Sequence, residues 1–420
     1  MIFSDLRHLT LLCLLFAAAR PCHADNWGHW RGENGNGVSS QATPPLEFGS
    51  TKNVKWKVAL PGLGSGSPVV WQDRVFVTTA KPIDDKALPA HQFMVFCFDR
   101  QTGKELWSRV AIEATPHEPT HNTNGFASAS PCTDGEHVYA HFGSRGLYCY
   151  TLDGELVWKK DFGKMTMRNG FGEGSSPTLE GDMILVPWDH EGQSYLYALN
   201  KRTGDVIWQT PRDEPSNWGT PLVVEHRRQK QIVLTGENKV RSYDLQTGEE
   251  LWRCGGQTER PCASPVQIDD LVIVTSGFRG SFLGAFELDG RGDIEGTDDV
   301  VWSLDRDTPD IGSPLLSGDR LYFYKGKSGM LTCVDAKTGK PHYTTARIPG
   351  LRQIYASPVV AGGHIYLTDR SGTVVVIKDS PELEIVATND MDETVDATPA
   401  PVDDQLFIRG QQHLFCIQAG

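Results

Sequence analysis

The side chains best suited to bind a ligand lie shortly before a recurring Ser/Thr-Pro dipeptide and are unusually polar or aromatic. Guanidinium groups pair with carboxylates, and aromatic rings pack against flat or sugar-like ligands. The same side chains are also suited to satisfy buried backbone groups by hydrogen bonding. The sequence alone leaves both alternatives open. The ligand-binding candidates, which include one more distant arginine, are Asn124, Arg168, Asn169, Arg212, Trp218, Arg279, Arg352 and Tyr355.

A second polar stretch, from His117 to Asn124, contains two histidines spaced by four residues. That spacing brings both imidazoles to one side of a helix, but Pro116 and Pro119 disfavour a helix here. As a loop, the stretch keeps metal binding as an alternative. With two histidines and no third ligand in register, a solvated loop is favoured, so the sequence predicts no metal site.

Motifs of the common catalytic classes are absent from the sequence. The chain contains no Gly-x-Ser-x-Gly, no His-Glu-x-x-His, no phosphate-binding Gly-x-x-x-x-Gly-Lys and no kinase catalytic set. The residues themselves therefore predict no catalytic site and a protein that is not an enzyme.

The first 24 residues are typical of a secretory signal. Arg7 precedes an apolar run over residues 9–19, and the small residues Cys22 and Ala24 fit a cleavage site. The run is too short to span a bilayer, and no other segment has the roughly 18 apolar residues of a membrane helix. Acylation at Cys22 is disfavoured by the Arg-Pro pair before it. We expect cleavage near Ala24 and a soluble mature chain in the periplasm or cell envelope.

Composition favours many short elements joined by tight turns. The 420 residues include 43 glycines and 25 prolines that are spread along the chain and do not cluster as in a linker. The formal net charge is −13 and the sequence has no basic run, so we expect no nucleic-acid partner.

The cysteines are odd in number after signal removal. Nine are present, and Cys13 and Cys22 fall in the predicted signal, which leaves seven and therefore at least one free thiol. Most of them stand in apolar strands and are expected to pack as small hydrophobic residues. Cys254 and Cys262 bracket one loop and are the pair for which a disulfide is considered, although sequence supplies no Cα distance.

The elements that must position all these side chains repeat along the chain. In the segment Phe98–Trp107, an apolar strand leads into Asp99, and Thr102 and Gly103 supply a turn. Trp107 follows four residues after the glycine, where a large ring can anchor the hairpin against a neighbouring unit. We interpret these residues as structural. Looser copies place their aromatic anchors at Trp158, Trp208, Trp252 and Trp302.

Eight Ser/Thr-Pro dipeptides recur at intervals of 41 to 63 residues. The interval matches a four-stranded propeller blade, and proline suits the first residue of a strand, which can lack a ladder donor. The sequence therefore predicts an all-β fold, an eight-bladed β-propeller of four-stranded blades, over residues 51–420. The dipeptides begin at Ser67, Ser130, Ser176, Thr220, Ser264, Ser313, Ser357 and Thr398.

The last of these units lacks a strand. After Thr398 the chain has room for two or three strands, whereas Val54–Val58 resembles a tryptophan-bearing fourth strand without a blade of its own. Pairing of these N- and C-terminal strands closes the ring and removes two exposed edges. Residues 25–50 are expected to form an arm whose Trp27 and Trp30 plug one end of the ring or cover a blade edge.

The pattern Asp-x-x-Thr-Gly-x-x-x-Trp at residues 99–107 resembles the tryptophan-docking motif of the pyrroloquinoline-quinone-like (PQQ-like) β-propeller repeat. That family includes quinoprotein alcohol dehydrogenases, the outer-membrane assembly lipoprotein BamB and sensor domains attached to bacterial serine/threonine kinases. The resemblance covers about residues 51–418 and implies the propeller fold. The Trp-x-x-Trp-Arg-Gly arm is similar to that of secreted planctomycete-type propellers. Since one fold hosts many activities, the resemblance constrains function less than fold.

Three functions follow from the resemblance. The dehydrogenases hold their quinone between a tryptophan and a disulfide of two adjacent cysteines, with calcium held by Glu and Asn and an Asp as base. This chain has no Cys-Cys dipeptide, so no cofactor is expected, and a quinone (PQQ) dehydrogenase with calcium is the enzymatic alternative. The resemblance to BamB implies an exported, non-catalytic propeller that binds an envelope protein partner or a small ligand. A sensor that partners an envelope serine/threonine kinase is the third function.

Overall fold

The computed structural model describes residues 26–420, so the predicted signal and its cleavage site near Ala24 lie outside the described residues. Residues 26–420 form eight sheets, each containing four antiparallel strands. The innermost strands contact their neighbours around a central channel. The predicted all-β, eight-bladed propeller is confirmed.

The strands of the N-terminal half follow one another from the channel outward in each blade. The first two are β1 (Val38–Ser39) and β2 (Val54–Ala59). Blade one contains β3 (Val69–Trp71), β4 (Arg74–Pro82), β5 (His91–Asp99) and β6 (Glu105–Ala114). Blade two contains β7 (Cys132–Thr133), β8 (His137–His141), β9 (Leu147–Thr151) and β10 (Leu156–Lys160). Blade three contains β11 (Thr178–Glu180), β12 (Met183–Trp188), β13 (Ser194–Asn200) and β14 (Val206–Arg212). Blade four contains β15 (Leu222–His226), β16 (Gln229–Leu234), β17 (Val240–Asp244) and β18 (Glu250–Cys254).

The C-terminal half continues the same order. Blade five contains β19 (Val266–Ile268), β20 (Leu271–Ser276) and β21 (Phe282–Glu287), and after β22 (Gly292–Asp293) it is completed by β23 (Val300–Leu304). Blade six contains β24 (Leu315–Ser317), β25 (Arg320–Tyr324), β26 (Met330–Asp335) and β27 (Pro341–Arg347). Blade seven contains β28 (Val359–Ala361), β29 (His364–Thr368), β30 (Thr373–Lys378) and β31 (Ile385–Asp390). Blade eight contains β32 (Ala400–Val402), β33 (Gln405–Arg409) and β34 (His413–Gln418), together with β2.

Helical structure within residues 26–420 is confined to two 3-10 turns, Gly143–Arg145 and Arg168–Gly170. In this part of the chain no helix has the length and apolar character needed to cross a membrane.

The hydrophobic core lies in layers between neighbouring blades. The middle strands β20 and β30 contain apolar runs, residues 272–274 and 374–377, in which every residue is buried. Such runs suit strands that are covered on both faces. The outer strand β14 instead mixes exposed and half-buried residues, because its outer edge meets solvent.

Blade eight is built from both ends of the propeller. β2 pairs antiparallel with β34, so that Trp56 stands opposite Cys416 and Ala59 opposite His413. β3 of blade one contacts β32 of blade eight, which completes the ring. The predicted closure by N- and C-terminal strands is confirmed.

The N-terminal arm crosses one end of the ring. Trp27 is buried and exchanges two backbone hydrogen bonds with Val70 of blade one. His29 Nε2 lies 2.9 Å from the carbonyl oxygen of Pro177 in blade three. β1 then pairs in parallel with β28 of blade seven. The arm therefore contacts blades on opposite sides of the channel and covers that end.

A short insertion after β21 gives blade four a fifth strand. β22 pairs in parallel with β18, which places Gly292 opposite Trp252. Ile294 and Trp252 are buried in the same apolar cluster. Trp252 Nε1 has no hydrogen-bond partner among residues 26–420, so this tryptophan is held by packing alone.

The other repeated tryptophans join each blade to the next. Trp107 of blade one donates its Nε1–H to the carbonyl oxygen of Leu152 in blade two at 2.8 Å. Its ring covers Gly154, where a Cβ atom would stand 2.7 Å from the ring. Within the turn, Thr102 donates its backbone N–H and its hydroxyl to the Asp99 carboxylate. The equivalent pairs are Trp56 on Gly103, Trp158 on Gly204, Trp208 on Gly248 and Trp302 on Gly339.

The residues that begin the Ser/Thr-Pro dipeptides form a second set of joints, on the channel side. The backbone N–H of Ser67 donates to Ser130 Oγ at 2.9 Å, and the N–H of Ser130 donates to Ser176 Oγ at 3.0 Å. The same bond joins Ser176 to Thr220, Thr220 to Ser264, Ser264 to Ser313, Ser313 to Ser357 and Ser357 to Thr398. We name these eight residues the hydroxyl ring.

Replacement of Ser130 tests the hydroxyl ring. In Ser130→Ala the buried N–H of Ser67 loses its acceptor, so we expect the free energy of unfolding to fall by about 1–3 kcal/mol. Ser130→Thr keeps a hydroxyl, as Thr220 and Thr398 do in their blades, and is expected to lose much less. Urea denaturation followed by tryptophan fluorescence measures both variants. Equal losses would contradict the role assigned to the hydroxyl.

Two glycine-to-alanine changes distinguish the stability contributed by the contact between Trp107 and Gly154 from the cost of backbone strain alone. Gly154 and Gly181 both have a positive φ, but a Cβ at Gly154 meets the Trp107 ring, whereas a Cβ at Gly181 has open space. We expect Gly181→Ala to cost about 1–2 kcal/mol of unfolding free energy through backbone strain. Gly154→Ala is expected to cost a further 1–3 kcal/mol, roughly, because the joint is overpacked. If thermal and urea unfolding show the same loss for both, the ring contact contributes nothing.

Candidate functional site

A cavity of about 360 Å³ lies in the central channel beside Trp30 of the N-terminal arm. We call it the channel cavity. Members of the hydroxyl ring line it. Except at Ser67, each of these hydroxyl oxygens accepts a backbone N–H, so the hydroxyl hydrogen stays available to a ligand. The hydroxyl-ring residues in its wall are Ser67, Ser130, Ser176, Thr220, Ser357 and Thr398.

Every blade contributes one further residue to the wall by the same rule. The residue two positions before each hydroxyl-ring residue lines the channel cavity, since side chains two apart on an extended chain face the same side. These residues differ from blade to blade, so they give the cavity its individual chemistry. They are Ser65, Ser128, Gly174, Trp218, Cys262, Ile311, Tyr355 and Asp396.

Aromatic rings from several blades form much of the apolar part of the wall. Phe171 meets Trp218 edge to face with ring centroids 6.2 Å apart, and it meets Phe278 in the same way at 6.4 Å. Trp218 Nε1 donates to a backbone carbonyl oxygen at 2.7 Å, which fixes the indole ring. The Tyr355 hydroxyl lies 3.1 Å from Thr123 Oγ1 and so joins blade seven to the loop before blade two. These rings form a rigid surface against which a flat ligand can pack.

Two cations share one carboxylate beside these rings. Arg260 Nη2 lies 2.6 Å from Asp310 Oδ1, and Lys327 Nζ lies 3.6 Å from Asp310 Oδ2. The Arg260 guanidinium carbon is 3.9 Å from the centroid of the Phe278 ring. The buried Nε of Arg260 has no hydrogen-bond partner within residues 26–420. This group therefore keeps one net positive charge and an unused donor, both of which suit an anion.

The carboxylate of Asp396, also in the wall, is already paired. Arg370 Nε donates to its Oδ1 at 2.9 Å, and the Arg370 guanidinium lies 5.0 Å from the Tyr355 ring centroid. Burial raises the pKa of Asp396, and Arg370 opposes that shift without cancelling it. Because this pair is neutral overall, the positive charge near Arg260 dominates the cavity.

Three of the eight candidates chosen from the sequence line the channel cavity, namely Asn124, Trp218 and Tyr355. Trp218 and Tyr355 stand two positions before a hydroxyl-ring residue. Asn124 lies on the loop before blade two, and its Nδ2 donates to the carbonyl oxygen of Phe171 at 2.8 Å. These three lie in the wall of the channel cavity, and their binding of a ligand stays a prediction.

The prediction for Arg212 as a channel residue was wrong. Its side chain is buried between blades three and four, with Nε 2.8 Å from Asp189 Oδ1 and Nη1 donating to the Tyr243 hydroxyl. Arg212 ends β14, the outer strand of its blade, so it cannot reach the channel. A buried cation needs these partners, which makes its role structural.

The remaining candidates do not line the channel cavity, and their binding of a ligand stays a prediction. Arg168 forms ion pairs with Glu191 and Glu237, and the exposed Arg279 lies 3.5 Å from Glu259. Asn169 and Arg352 are exposed to solvent. These side chains stand outside the strands of the blades, and none of them is among the residues that line the cavity. The candidates concerned are Arg168, Asn169, Arg279 and Arg352.

The sequence interpretation missed Arg260, Lys327, Phe278 and His121, all of which line the cavity. Arg260 lies four residues before Ser264, in the window that supplied the other candidates, so it could have been found. Lys327 and Phe278 stand on loops between the second and third strands of their blades. No local pattern marks those loops as facing the channel.

Cys262 is a free thiol in the wall, and the disulfide considered with Cys254 is not formed. Burial raises the pKa of Cys262 to about 12, so the thiol is protonated and a poor nucleophile at neutral pH. The donors implied for a bound quinone fit this wall poorly, because it holds one thiol where adjacent cysteines are needed and because Asp396 is engaged by Arg370.

Comparisons with known proteins find relatives that share this fold. A family model described as outer membrane protein assembly factor BamB matches residues 47–149, 91–342 and 192–420. BamB of Burkholderia pseudomallei is 24% identical over 378 residues, which cover 79% of this chain and 90% of that protein. BamB from Moraxella catarrhalis has a similar solved structure, with a TM-score of 0.62, 13% identity, and coverage of 87% of this chain and 99% of that one. That likeness shows the fold alone.

Enzymes are also among the relatives. Tetrathionate hydrolase of Acidithiobacillus ferrooxidans is 24% identical over 305 residues, or 67% of this chain, and quinoprotein ethanol dehydrogenase of Pseudomonas putida is 25% identical over 276 residues, or 59%. The matches span 55% and 40% of the length of those two proteins. Because the family model matches segments that extend from residue 47 to residue 420, the chain belongs to the PQQ-like β-propeller family described as outer membrane protein assembly factor BamB.

Proposed function

We propose that this protein is an exported, non-catalytic binding module of the cell envelope that takes a small anionic ligand in the channel cavity. The observation that carries the proposal is the net positive charge held among aromatic rings, where Arg260 and Lys327 share the single carboxylate of Asp310. A cavity of about 360 Å³ is within the range of small-molecule sites.

The wall also indicates the chemical class of the ligand. The free Nε–H of Arg260 and the hydroxyl hydrogens of the hydroxyl ring are donors, so they favour a carboxylate or another oxyanion. Phe171, Phe278 and Trp218 favour a flat or ring-shaped body. We therefore infer a ligand that combines a planar ring with at least one carboxylate.

Catalysis with a quinone is the alternative, since quinoprotein ethanol dehydrogenase is a relative. The same cavity would accept a flat polycarboxylate, so binding alone does not separate the two functions. Two features support the non-catalytic proposal: the single protonated thiol of Cys262 and the engaged carboxylate of Asp396.

Titration of the purified protein with pyrroloquinoline quinone tests the site, because Trp30 and Trp218 report occupancy by fluorescence quenching. We expect Arg260→Gln to weaken binding by about 10- to 100-fold, the value of one charge-assisted hydrogen bond. Arg279→Gln is the matched control, because Arg279 is adjacent to Phe278 but lies outside the cavity. Equal affinities for Arg260→Gln and the parent would contradict the proposed site. Dye reduction in the presence of calcium would instead establish the enzymatic alternative.

Binding of a protein partner is a second candidate function, favoured by exposed apolar residues on consecutive outer strands. Leu106 on β6, Leu156 and Val157 on β10 and Ile207 on β14 are each between 43% and 53% exposed. These outer edges are unpaired in the described residues, whereas the edge of blade four is occupied by β22. We propose that an envelope protein docks along blades one to three, and a serine/threonine kinase with which the chain acts as a sensor is one form of such a partner.

Site-specific photo-crosslinking tests this second function. A photoreactive residue at Val157 is expected to give a discrete adduct in envelope preparations. The same residue at Val301, which is 41% exposed on blade five, is the matched control and is expected to give none. Identical adducts at both positions, or no adduct at Val157, would contradict docking on blades one to three.

A further inference from the structure

A second cavity, small and lined by polar groups, lies behind the wall of the channel cavity. Its volume of about 20 Å³ is enough for one atom the size of a water molecule. Glu118, Glu173 and His141 line it. One ring nitrogen of His117 and one carboxylate oxygen each from Glu118 and Glu173 lie within 4.8 Å of one another. Such distances allow a single ion to contact all three.

His141 supplies an independent sign of a ligand at this place. The residue is 2% exposed, and its Nδ1 lies 3.3 Å from the carbonyl oxygen of Ser175. A carbonyl oxygen only accepts, so Nδ1 carries the hydrogen and Nε2 carries the lone pair. Nε2 is buried and has no partner within residues 26–420.

A backbone carbonyl oxygen orients the His117 ring in the same way. Its Nε2 lies 2.6 Å from the carbonyl oxygen of Met165 and so donates to it, which leaves the lone pair on Nδ1. A carbonyl that holds one ring nitrogen while the other stays open is the usual second shell of a metal-binding histidine. Two histidines in one small region therefore share a tautomer arrangement that suits a metal.

The carboxylates are only partly neutralised. Glu118 accepts a backbone N–H from Met167 at 3.0 Å. Glu173 accepts the backbone N–H and the hydroxyl of Ser144, and Arg145 Nη1 lies 3.4 Å from its Oε1. The Arg145 guanidinium is one cation beside two carboxyl groups, so a divalent cation improves the balance of charge.

We propose that His117, Glu118 and Glu173 bind one divalent transition-metal ion of the zinc class, with His141 in the wall of the same small cavity. Mixed imidazole and carboxylate donors suit Zn²⁺, whereas Ca²⁺ takes oxygen ligands. The ligands come from the loop that carries His121 and Asn124 and from the loop that carries Phe171, so the ion braces the wall of the channel cavity. The sequence predicted no metal here because Glu173, the missing third ligand, is 55 residues away from Glu118 (173 − 118 = 55).

Metal binding by the full-length chain, stripped with a chelator, tests the proposal. We expect one equivalent of Zn²⁺ to stay bound through gel filtration, to appear in elemental analysis and to raise the melting temperature. Glu118→Gln keeps an oxygen acceptor for the Met167 N–H, so it is expected to fold normally and to weaken Zn²⁺ binding at least about 10-fold.

The chain offers a matched control. Asp134, Glu136 and His137 form another cluster of possible ligands, but Asp134 is engaged by Lys201 at 2.9 Å and Glu136 is exposed. Glu136→Gln is expected to leave Zn²⁺ binding unchanged. The proposal is overturned if folded parent protein binds no Zn²⁺, which would mean that the cavity holds a water molecule only. It is also overturned if Glu136→Gln loses as much affinity as Glu118→Gln. Titration with pyrroloquinoline quinone in Glu118→Gln reports the channel site separately.

Discussion

The hydrogen bonds of the hydroxyl ring hold the inner edges of the blades at a fixed spacing, and the rest of the molecule depends on that spacing. Each bond runs from a backbone N–H to the hydroxyl of the next blade, as from Ser67 to Ser130. Proline after each hydroxyl residue has no N–H, so it leaves no competing donor at the start of the strand. Seven such bonds link the eight residues from Ser67 to Thr398, so each blade needs the same dipeptide at its inner edge.

A second constraint acts near the outer strands. Trp107 covers Gly154 of the next blade, and a side chain at that glycine would collide with the ring. Inner hydroxyl bonds and outer tryptophan contacts together fix both the distance and the tilt between neighbouring blades. The most repetitive residues of the chain are therefore engaged in architecture. Residues that differ from one repeat to the next are the ones available for ligand binding.

Those residues occupy defined places. The side chains two positions before the hydroxyl ring must face the channel, yet nothing in the ring requires a particular residue type there. Three blades that are otherwise alike therefore carry different side chains at this position, namely Trp218, Tyr355 and Asp396. Loops between the second and third strands add Lys327 and Phe278 to the same wall. One loop carries both His121 of the channel cavity and His117 of the proposed metal site, so the two sites share a structural element.

The sequence by itself determined the fold. Its Ser/Thr-Pro interval, its Asp-x-x-Thr-Gly-x-x-x-Trp pattern and the spare strand at Val54–Val58 were enough to predict eight blades closed by both ends of the chain, because repetition is a local property. Only the tertiary structure decided which polar side chains meet. Arg212 belongs to an outer strand and Arg260 to the channel, a difference of register that composition cannot show. Glu118 and Glu173 become neighbours because ring closure stacks one blade against the next, which no spacing within a single repeat records.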